Sequence, residues 1–308
     1  MHTALITDYS KPPAYATVDD LPQPTSSQIQ LKVLATGLHN LVRSRARGAH
    51  YSSPPLPQIP GTDGVGVAED GTCYYFSVFK RGGSFAEKVN VERSGAFPMP
   101  KNLNAIQTAA LVNPAISSWM AITARTKDLP ENFSVLILGA TSASGRLAAS
   151  LARTLGAKQV FGAARNASAL DSLPLNIKLH VAEDPSKTDF SPLQGVEIDV
   201  ILDYINGSLP TALLSTHKQQ RPLQYVQIGT LSGQEMILPN SVLRSTNLTI
   251  RGSGLGAFNQ AEMVKEVPAL LGALVNVEKQ KIVEFSLEEV EEAWDRTVDK
   301  DARIVFVP

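Results

Sequence analysis

The chain of 308 residues has room for about two domains of ~100–200 residues each, and for a core that needs no disulfide or metal staple. Apolar residues make up 43% and charged residues 19%, and 28 Lys and Arg face 29 Asp and Glu. That balance argues against a disordered chain and against a basic nucleic-acid or membrane-surface binder. The single cysteine, Cys73, excludes an intrachain disulfide and a multi-cysteine zinc cluster.

The N-terminus, Met1-His2-Thr3-Ala4-Leu5-Ile6-Thr7-Asp8, lacks the basic flank and apolar stretch of a signal peptide, and nowhere do ~18 uncharged apolar residues run together. The expectation is a cytoplasmic protein that meets neither membrane nor nucleic acid. Four Asn-x-Ser/Thr triplets, at Asn132, Asn166, Asn206 and Asn247, would accept glycans only in a secreted chain and carry no weight.

The first ~110 residues are rich in proline and glycine, and strands are predicted over residues 4–7, 28–35, 64–68 and 84–91 of an irregular β domain. Residues 39–59 read as a long loop, because Pro54, Pro55 and Pro57 forbid regular pairing. From Ser134 the pattern changes to six short apolar runs, over residues 135–138, 160–164, 177–181, 200–202, 225–228 and 248–250. β-Branched, nearly continuous runs separated by helix-length segments mark strands buried on both faces of a parallel sheet. Helices are predicted over residues 260–274 and 287–298. A last strand over 303–307 has no place in a six-stranded parallel sheet, which leaves a return to the first domain.

The first of the six runs leads into Gly139-Ala140-Thr141-Ser142-Ala143-Ser144-Gly145 and then into an amphipathic helix over residues 146–156 that Gly156 closes. A pyrophosphate needs close backbone approach and free N–H groups at a helix start, and small side chains permit both. The spacing is Gly-x-x-Ser-x-x-Gly, with Ser142 where the commoner dinucleotide fingerprint has glycine, so a tight turn without ligand is the alternative. The second run ends in Ala164-Arg165-Asn166 with no Asp or Glu to accept a ribose 2′-hydroxyl. A guanidinium there pairs with a 2′-phosphate, so Arg165 points to NADPH rather than NADH; a solvated surface charge is the alternative.

Taken together, Pro60-Gly61-Thr62-Asp63-Gly64-Val65-Gly66, Gly83-Ser84-Phe85-Ala86-Glu87, the fingerprint with Leu155-Gly156-Ala157, Asp199-Val200-Ile201-Leu202-Asp203, Gln227-Ile228-Gly229 and Leu248-Thr249-Ile250-Arg251-Gly252-Ser253 resemble the medium-chain dehydrogenase/reductases, in their zinc-independent quinone oxidoreductase branch. The resemblance spans nearly the whole chain. It implies an α/β fold with a Rossmann-type doubly wound parallel sheet over residues 115–256. It also implies a discontinuous, irregular β (GroES-like) substrate domain over residues 1–114 and 257–308, a cleft between the domains, and a homodimer formed by sheet extension. Where the alcohol dehydrogenase branch holds catalytic zinc, the matching residues here are His39, Thr62 and Asn113, a set that cannot supply a tetrahedral N/S site. No metal is expected. The family's Asn-x-x-Asp loop pair falls on His39 and Val42, and the segment 69–82 is shorter than in relatives, which leaves the cleft more open or differently covered.

Without a Lewis acid, the accessible hydride chemistry is reduction of a quinone or of the C=C of an enone, where the acceptor itself delocalises charge. The candidate catalytic residues are Tyr51 as hydrogen-bond or proton donor, His39 as a proton source near neutral pH, and Asn40 as an orienter of a carbonyl. Tyr51 packing on Pro54 and Pro55, and His39 as a core residue, are the alternatives. The candidate cofactor residues are Gly139, Thr141, Ser142, Ala143, Ser144 and Gly145 for the pyrophosphate, and Arg165 and Asn166 for the adenosine phosphate. By resemblance, Gly229 and Thr230 lie beside the nicotinamide, and Ser253 and Gly254 approach its carboxamide. Asp203 and Tyr204 end another strand, where Tyr204 either stacks on the cofactor or packs under the next helix. A NADPH binder without redox turnover and a metal-free carbonyl reductase remain the rival readings.

Overall fold

The computed structural model describes residues 1–78, 82–254, 256–299 and 302–308. The chain divides into two compact units, Met1–Asn113 with Val267–Pro308, and Pro114–Glu266.

In the first unit, β1 (His2–Leu5) pairs antiparallel with β2 (Ala14–Thr17). The ten-residue β3 (Gln28–Gly37) alternates buried Leu31, Val33 and Ala35 with exposed Lys32 and half-buried Leu34, the period-two signature of a strand with one face on a core. The stretch read as one long loop opens with a helix, α1 (Asn40–Ala46), that buries Val42, Arg45 and Ala46. β4 (Asp63–Val67) then turns directly into β5 (Cys73–Ser77), which has no counterpart among the predicted strands. Gly71 makes this tight hairpin possible at φ +82°. β6 (Lys88–Glu92) pairs with β3, β7 (Ala96–Pro98) pairs with β5, and α2 (Ala105–Thr123) follows.

In the second unit the six predicted strands are all present: β8 (Ser134–Leu138), β9 (Gln159–Ala164), β10 (Ile177–His180), β11 (Val200–Asp203), β12 (Leu223–Gln227) and β13 (Leu248–Gly252). They form one parallel sheet in the order β10-β9-β8-β11-β12-β13. Strand order reverses between β8 and β11, the switch point at which doubly wound sheets take their ligands. The helices between them are α3 (Ala143–Thr154), α4 (Ala167–Asp171), α5 (Ser208–Thr216) and α6 (Asn240–Ser245), with α7 (Gln260–Leu274) after β13. Successive residues of β8 enter opposite cores: Val135 and Ile137 pack on one face with Ala148, Ala152, Val200 and Leu202, and Leu136 and Leu138 on the other with Phe161, Ile201 and Tyr225. Burial on both faces is why β8 and the apolar run of β11 carry no polar alternation.

The chain returns to the first unit through β14 (Lys281–Ser286), α8 (Val290–Ala293) and β15 (Ala302–Val307). The helix expected over residues 287–298 is only a single 3-10 turn, which a Ser286–Glu289 capping box starts, and the four residues of α8, after which Trp294 is buried in the core. β15 lies between β14, parallel to it, and β3, antiparallel to it, which completes a sheet in the order β14-β15-β3-β4-β5-β7. Ile304 and Phe306 reach a core shared with Phe85, Leu287 and Trp294. Among the described residues, no helix is long and apolar enough to cross a membrane.

Candidate functional site

In the second unit, β8 ends at Gly139, whose φ of +92° only glycine adopts freely, and the chain turns into α3. Ser142 caps that helix, its hydroxyl accepting the Gly145 N–H at 3.1 Å. Among the described residues, no acceptor meets the N–H groups of Ala143 and Ser144. Gly145 lies so close to the turn that a Cβ would stand 2.3 Å from the Gly139 carbonyl oxygen. Thr141, Ser142, Ala143 and Ser144 are half-buried, so the cradle is open to a ligand on its outer side. Arg146, which sequence reasoning did not single out, braces it by donating from Nε to the Thr141 carbonyl at 3.2 Å.

β9 runs beside β8 and delivers Arg165 at its carboxyl end, exposed and without a hydrogen bond or ion pair among the described residues. Asn166 is committed locally. Its Oδ1 accepts the Ala169 N–H at 3.0 Å and caps α4, which fixes the side chain while leaving its exposed Nδ2 as the group able to donate to a phosphate.

The end of β11 is organised differently from the expectation. Asp203 is fully buried, and its carboxylate accepts the N–H groups of Ile205 at 2.8 Å and Asn206 at 3.0 Å together with the Tyr225 hydroxyl. Burial pushes its pKa up, while the three donors pull the other way. Stacking by Tyr204 is corrected to packing: the ring is buried at 4% exposure among the sheet residues, and its hydroxyl pairs with Ser118 Oγ at 2.6 Å. Burial also raises the pKa of that phenol well above its ordinary value. Neither Asp203 nor the Tyr204 ring has a surface with which to touch a cofactor.

Beyond β12, Gly229 sits against the preceding strand end, where a Cβ would stand 2.5 Å from the Tyr204 carbonyl oxygen, and Thr230 is exposed beside it. After β13, Ser253 is held by its N–H to the Gln227 carbonyl at 2.8 Å, while its buried hydroxyl has no partner; Gly254 is exposed next to it. The structure thus brings Gly139, Thr141, Ser142, Ala143, Ser144, Gly145, Arg165, Gly229, Thr230, Ser253 and Gly254 to the carboxyl edge of one sheet.

In the first unit, His39 is buried at 6% exposure just before α1, with Nε2 unpartnered. Burial lowers its pKa, the nearby Asp63 charge opposes that, and Arg303 adds to it. Asn40 is exposed at the start of α1. Tyr51 is 78% exposed, with its ring tilted against His50 at 4.2 Å, so packing on Pro54 and Pro55 is not its state. The positions matched to zinc ligands hold a hydrogen-bonded cluster that sequence reasoning missed: Asp63 accepts from Thr62 Oγ1 at 2.5 Å, Asn113 Nδ2 at 3.0 Å and the Tyr75 hydroxyl at 3.2 Å. The segment read as short is the tight β4–β5 hairpin and its continuation, of which residues 79–81 lie outside the described residues.

No family model matches the chain. Its sequence is 34% identical over the whole of both chains to the Probable NADPH-dependent quinone reductase tdiC of Emericella nidulans. That alignment runs over 355 positions, so the relative has segments that this chain lacks. Among solved structures, a mycobacterial quinone oxidoreductase superposes with a TM-score of 0.82 at 15% identity, over the whole of both chains. The quinone oxidoreductase of Thermus thermophilus, solved also in complex with NADPH, superposes with 0.77 at 24% identity and again covers both chains fully. With full-length likeness in sequence and fold, and a glycine cradle at the switch point of its parallel sheet, the chain belongs to the medium-chain dehydrogenase/reductase superfamily as a quinone-oxidoreductase-like member.

Proposed function

We propose that the chain is an NADPH-dependent oxidoreductase that delivers hydride to a quinone, or to an α,β-unsaturated carbonyl, without a metal. The observation that carries the reading is the Gly139–Gly145 cradle followed, one strand over, by the unpaired Arg165 where an NADH-binding unit needs a carboxylate. The residues fit the cofactor. The N–H groups of Ala143 and Ser144 are free for a pyrophosphate, glycine at 145 lets α3 start tight against the turn that presents them, and the orphaned Ser253 hydroxyl offers a hydrogen bond at the same sheet edge.

When bound, the reduced nicotinamide supplies a hydride that, with one proton, converts a quinone to its hydroquinone. The protein's part is binding and orientation. Arg165 holds the 2′-phosphate, the α3 N-terminus holds the pyrophosphate, and the Gly229 backbone and Ser253 hydroxyl orient the redox end. Tyr51, exposed and with a phenol able to donate, is the proposed donor to oxygen as charge develops on the acceptor, and Asn40 is a second exposed amide for its carbonyl. His39 is set aside as a proton source, since burial holds it neutral. Metal-free chemistry rests on the donors present: Thr62 and Asn113 offer hydroxyl and amide groups, and the one carboxylate among them is shared by three hydrogen bonds.

Homodimerisation is part of the same proposal. β13 is an edge strand with Ile250 exposed, and Ile237 and Leu243 on neighbouring segments are 77% and 52% exposed. The central test is Arg165→Ala. One charge-assisted contact is worth about 1.5–3 kcal/mol, so NADPH affinity falls by roughly 10-fold or more while NADH affinity is unchanged. Equal losses for both coenzymes in calorimetric titration refute the phosphate assignment. Loss of absorbance of reduced nicotinamide with a panel of quinones, enones and ketones tests the acceptor class, and no consumption with any of them refutes turnover.

A further inference from the structure

We propose that Asp203 is a positioning residue: its buried carboxylate clamps the turn after β11 to the loop after β12 and holds Gly229 and its neighbours as a rigid floor for the redox end of the cofactor. The inference deepens the proposed function and rests on it.

Asp203 reaches both segments. Its side chain takes the N–H groups of Ile205 and Asn206 in the turn that follows it, and the hydroxyl of Tyr225 in the next strand. Its own carbonyl accepts from Ile228 at 2.8 Å and Gly229 at 3.0 Å. The turn it shapes passes through the left-handed region at Asn206, φ +60°, which asparagine tolerates better than most side chains. That conformation aims Asn206 Nδ2 at the Gly233 carbonyl, at 3.0 Å, and presents the Ile205 carbonyl to the Ser232 N–H at 2.7 Å. Tyr225 adds a contact to Met236 Sδ in the same loop. With a Cβ at 229 only 2.5 Å from the Tyr204 carbonyl, the two segments have no slack between them. The two backbone N–H groups meet Oδ1 and the Tyr225 hydroxyl meets Oδ2; an asparagine keeps the first oxygen but removes the charge, and its N–H₂ forces the phenol from donor to acceptor.

The other end of the same strand provides a control. Asp199 is also buried and also accepts three donors, the Ser134 N–H at 2.8 Å, the Ser134 hydroxyl at 3.0 Å and Arg221 at 3.2 Å, but it precedes β11 at the amino edge, where doubly wound sheets bind nothing. Asp203→Asn and Asp199→Asn are compared by thermal melting, by NADPH titration and by steady-state reduction of 1,4-benzoquinone at a temperature where both are folded. Both variants melt earlier. Asp203→Asn alone loses kcat, by roughly 10-fold to 100-fold, with a smaller change in KM for the quinone, because the donor is displaced and not removed. Tyr225→Phe, which keeps the turn and drops one donor, falls between parent and Asp203→Asn, and it carries the test if Asp203→Asn does not fold. Kinetic constants that stay at parental values in Asp203→Asn or Tyr225→Phe, or that fall equally in Asp199→Asn, overturn the proposal. If the parent itself oxidises no NADPH, the proposed function fails. The clamp is then judged by NADPH affinity alone, weakened in Asp203→Asn and unchanged in Asp199→Asn if it stands, and alike in both if it does not.

Discussion

Alanine at position 145 tests the cradle most directly. Its Cβ would stand 2.3 Å from the Gly139 carbonyl oxygen and 2.9 and 3.0 Å from the Cα and carbonyl carbon of Ala140. All three are main-chain atoms of the turn, so no side chain can swing away, and α3 must retreat by roughly 1 Å to restore ordinary contact. Overpacking of this kind costs about 1–3 kcal/mol, of which alanine's better helix propensity returns up to about 1 kcal/mol. The ligand-free protein therefore loses only about 0–2 kcal/mol of stability. Binding suffers more, because the N–H groups of Ala143 and Ser144 move away from the phosphate oxygens, and one lost charge-assisted hydrogen bond at about 1.5–3 kcal/mol weakens NADPH by roughly 10-fold to 100-fold. Calorimetric titration of Gly145→Ala beside a thermal melt separates the two effects. A variant that melts early but binds NADPH within about twofold of the parent refutes the placement of the pyrophosphate on this turn.

Three other outcomes follow from the same reasoning. His39 has a native pKa lowered by burial, so as pH falls through about 6.5 the unfolded chain takes up a proton that the folded chain refuses, and stability falls toward acid by up to about 1.4 kcal/mol per pH unit. His39→Gln flattens that limb in urea titrations between pH 5 and 8, and parallel profiles for parent and variant contradict it. Tyr204→Phe removes the buried hydroxyl pair with Ser118 and costs about 1 kcal/mol in chemical denaturation while NADPH affinity stays unchanged, whereas a large affinity loss contradicts a purely internal role for that hydroxyl. Ile250→Lys at the edge of β13 converts a dimer to a monomer by light scattering, and a parent that is already monomeric at micromolar concentration rejects the edge as an interface.

The parallel sheet was legible because its central strands are buried on two faces and carry their apolar character in short unbroken runs, Val135–Leu138 and Val200–Leu202. The cradle was legible because glycine at 139 and 145 answers to backbone geometry that no other residue meets. What escaped was tertiary in origin. β5 follows β4 after only five residues, and its Tyr74-Tyr75-Phe76 run gains its meaning from pairing with β4 and β7. α1 was hidden because His39 and Asn40 read as the start of a loop whose prolines come later. The role of Tyr204 stayed open between stacking and packing because an aromatic residue at a strand end looks the same in sequence whether its ring faces out or in. Tyr225, which fixes Asp203, lies 22 residues further on and gives no local sign of that partnership. The Asn206-Gly207 pair directly after the strand was the one available hint that a shaped turn stood there.

The position of β15 constrains the order in which the protein can be made. The first 113 residues leave the ribosome with β3 lacking the neighbour it will have through Val305 and Phe306, and that neighbour follows only after the whole inserted unit. The inserted unit, Pro114–Glu266, has its whole sheet in one uninterrupted stretch and can complete it during synthesis. A stop codon placed just before β15 costs the first unit the link between β14 and β3, although every residue of the inserted unit is retained.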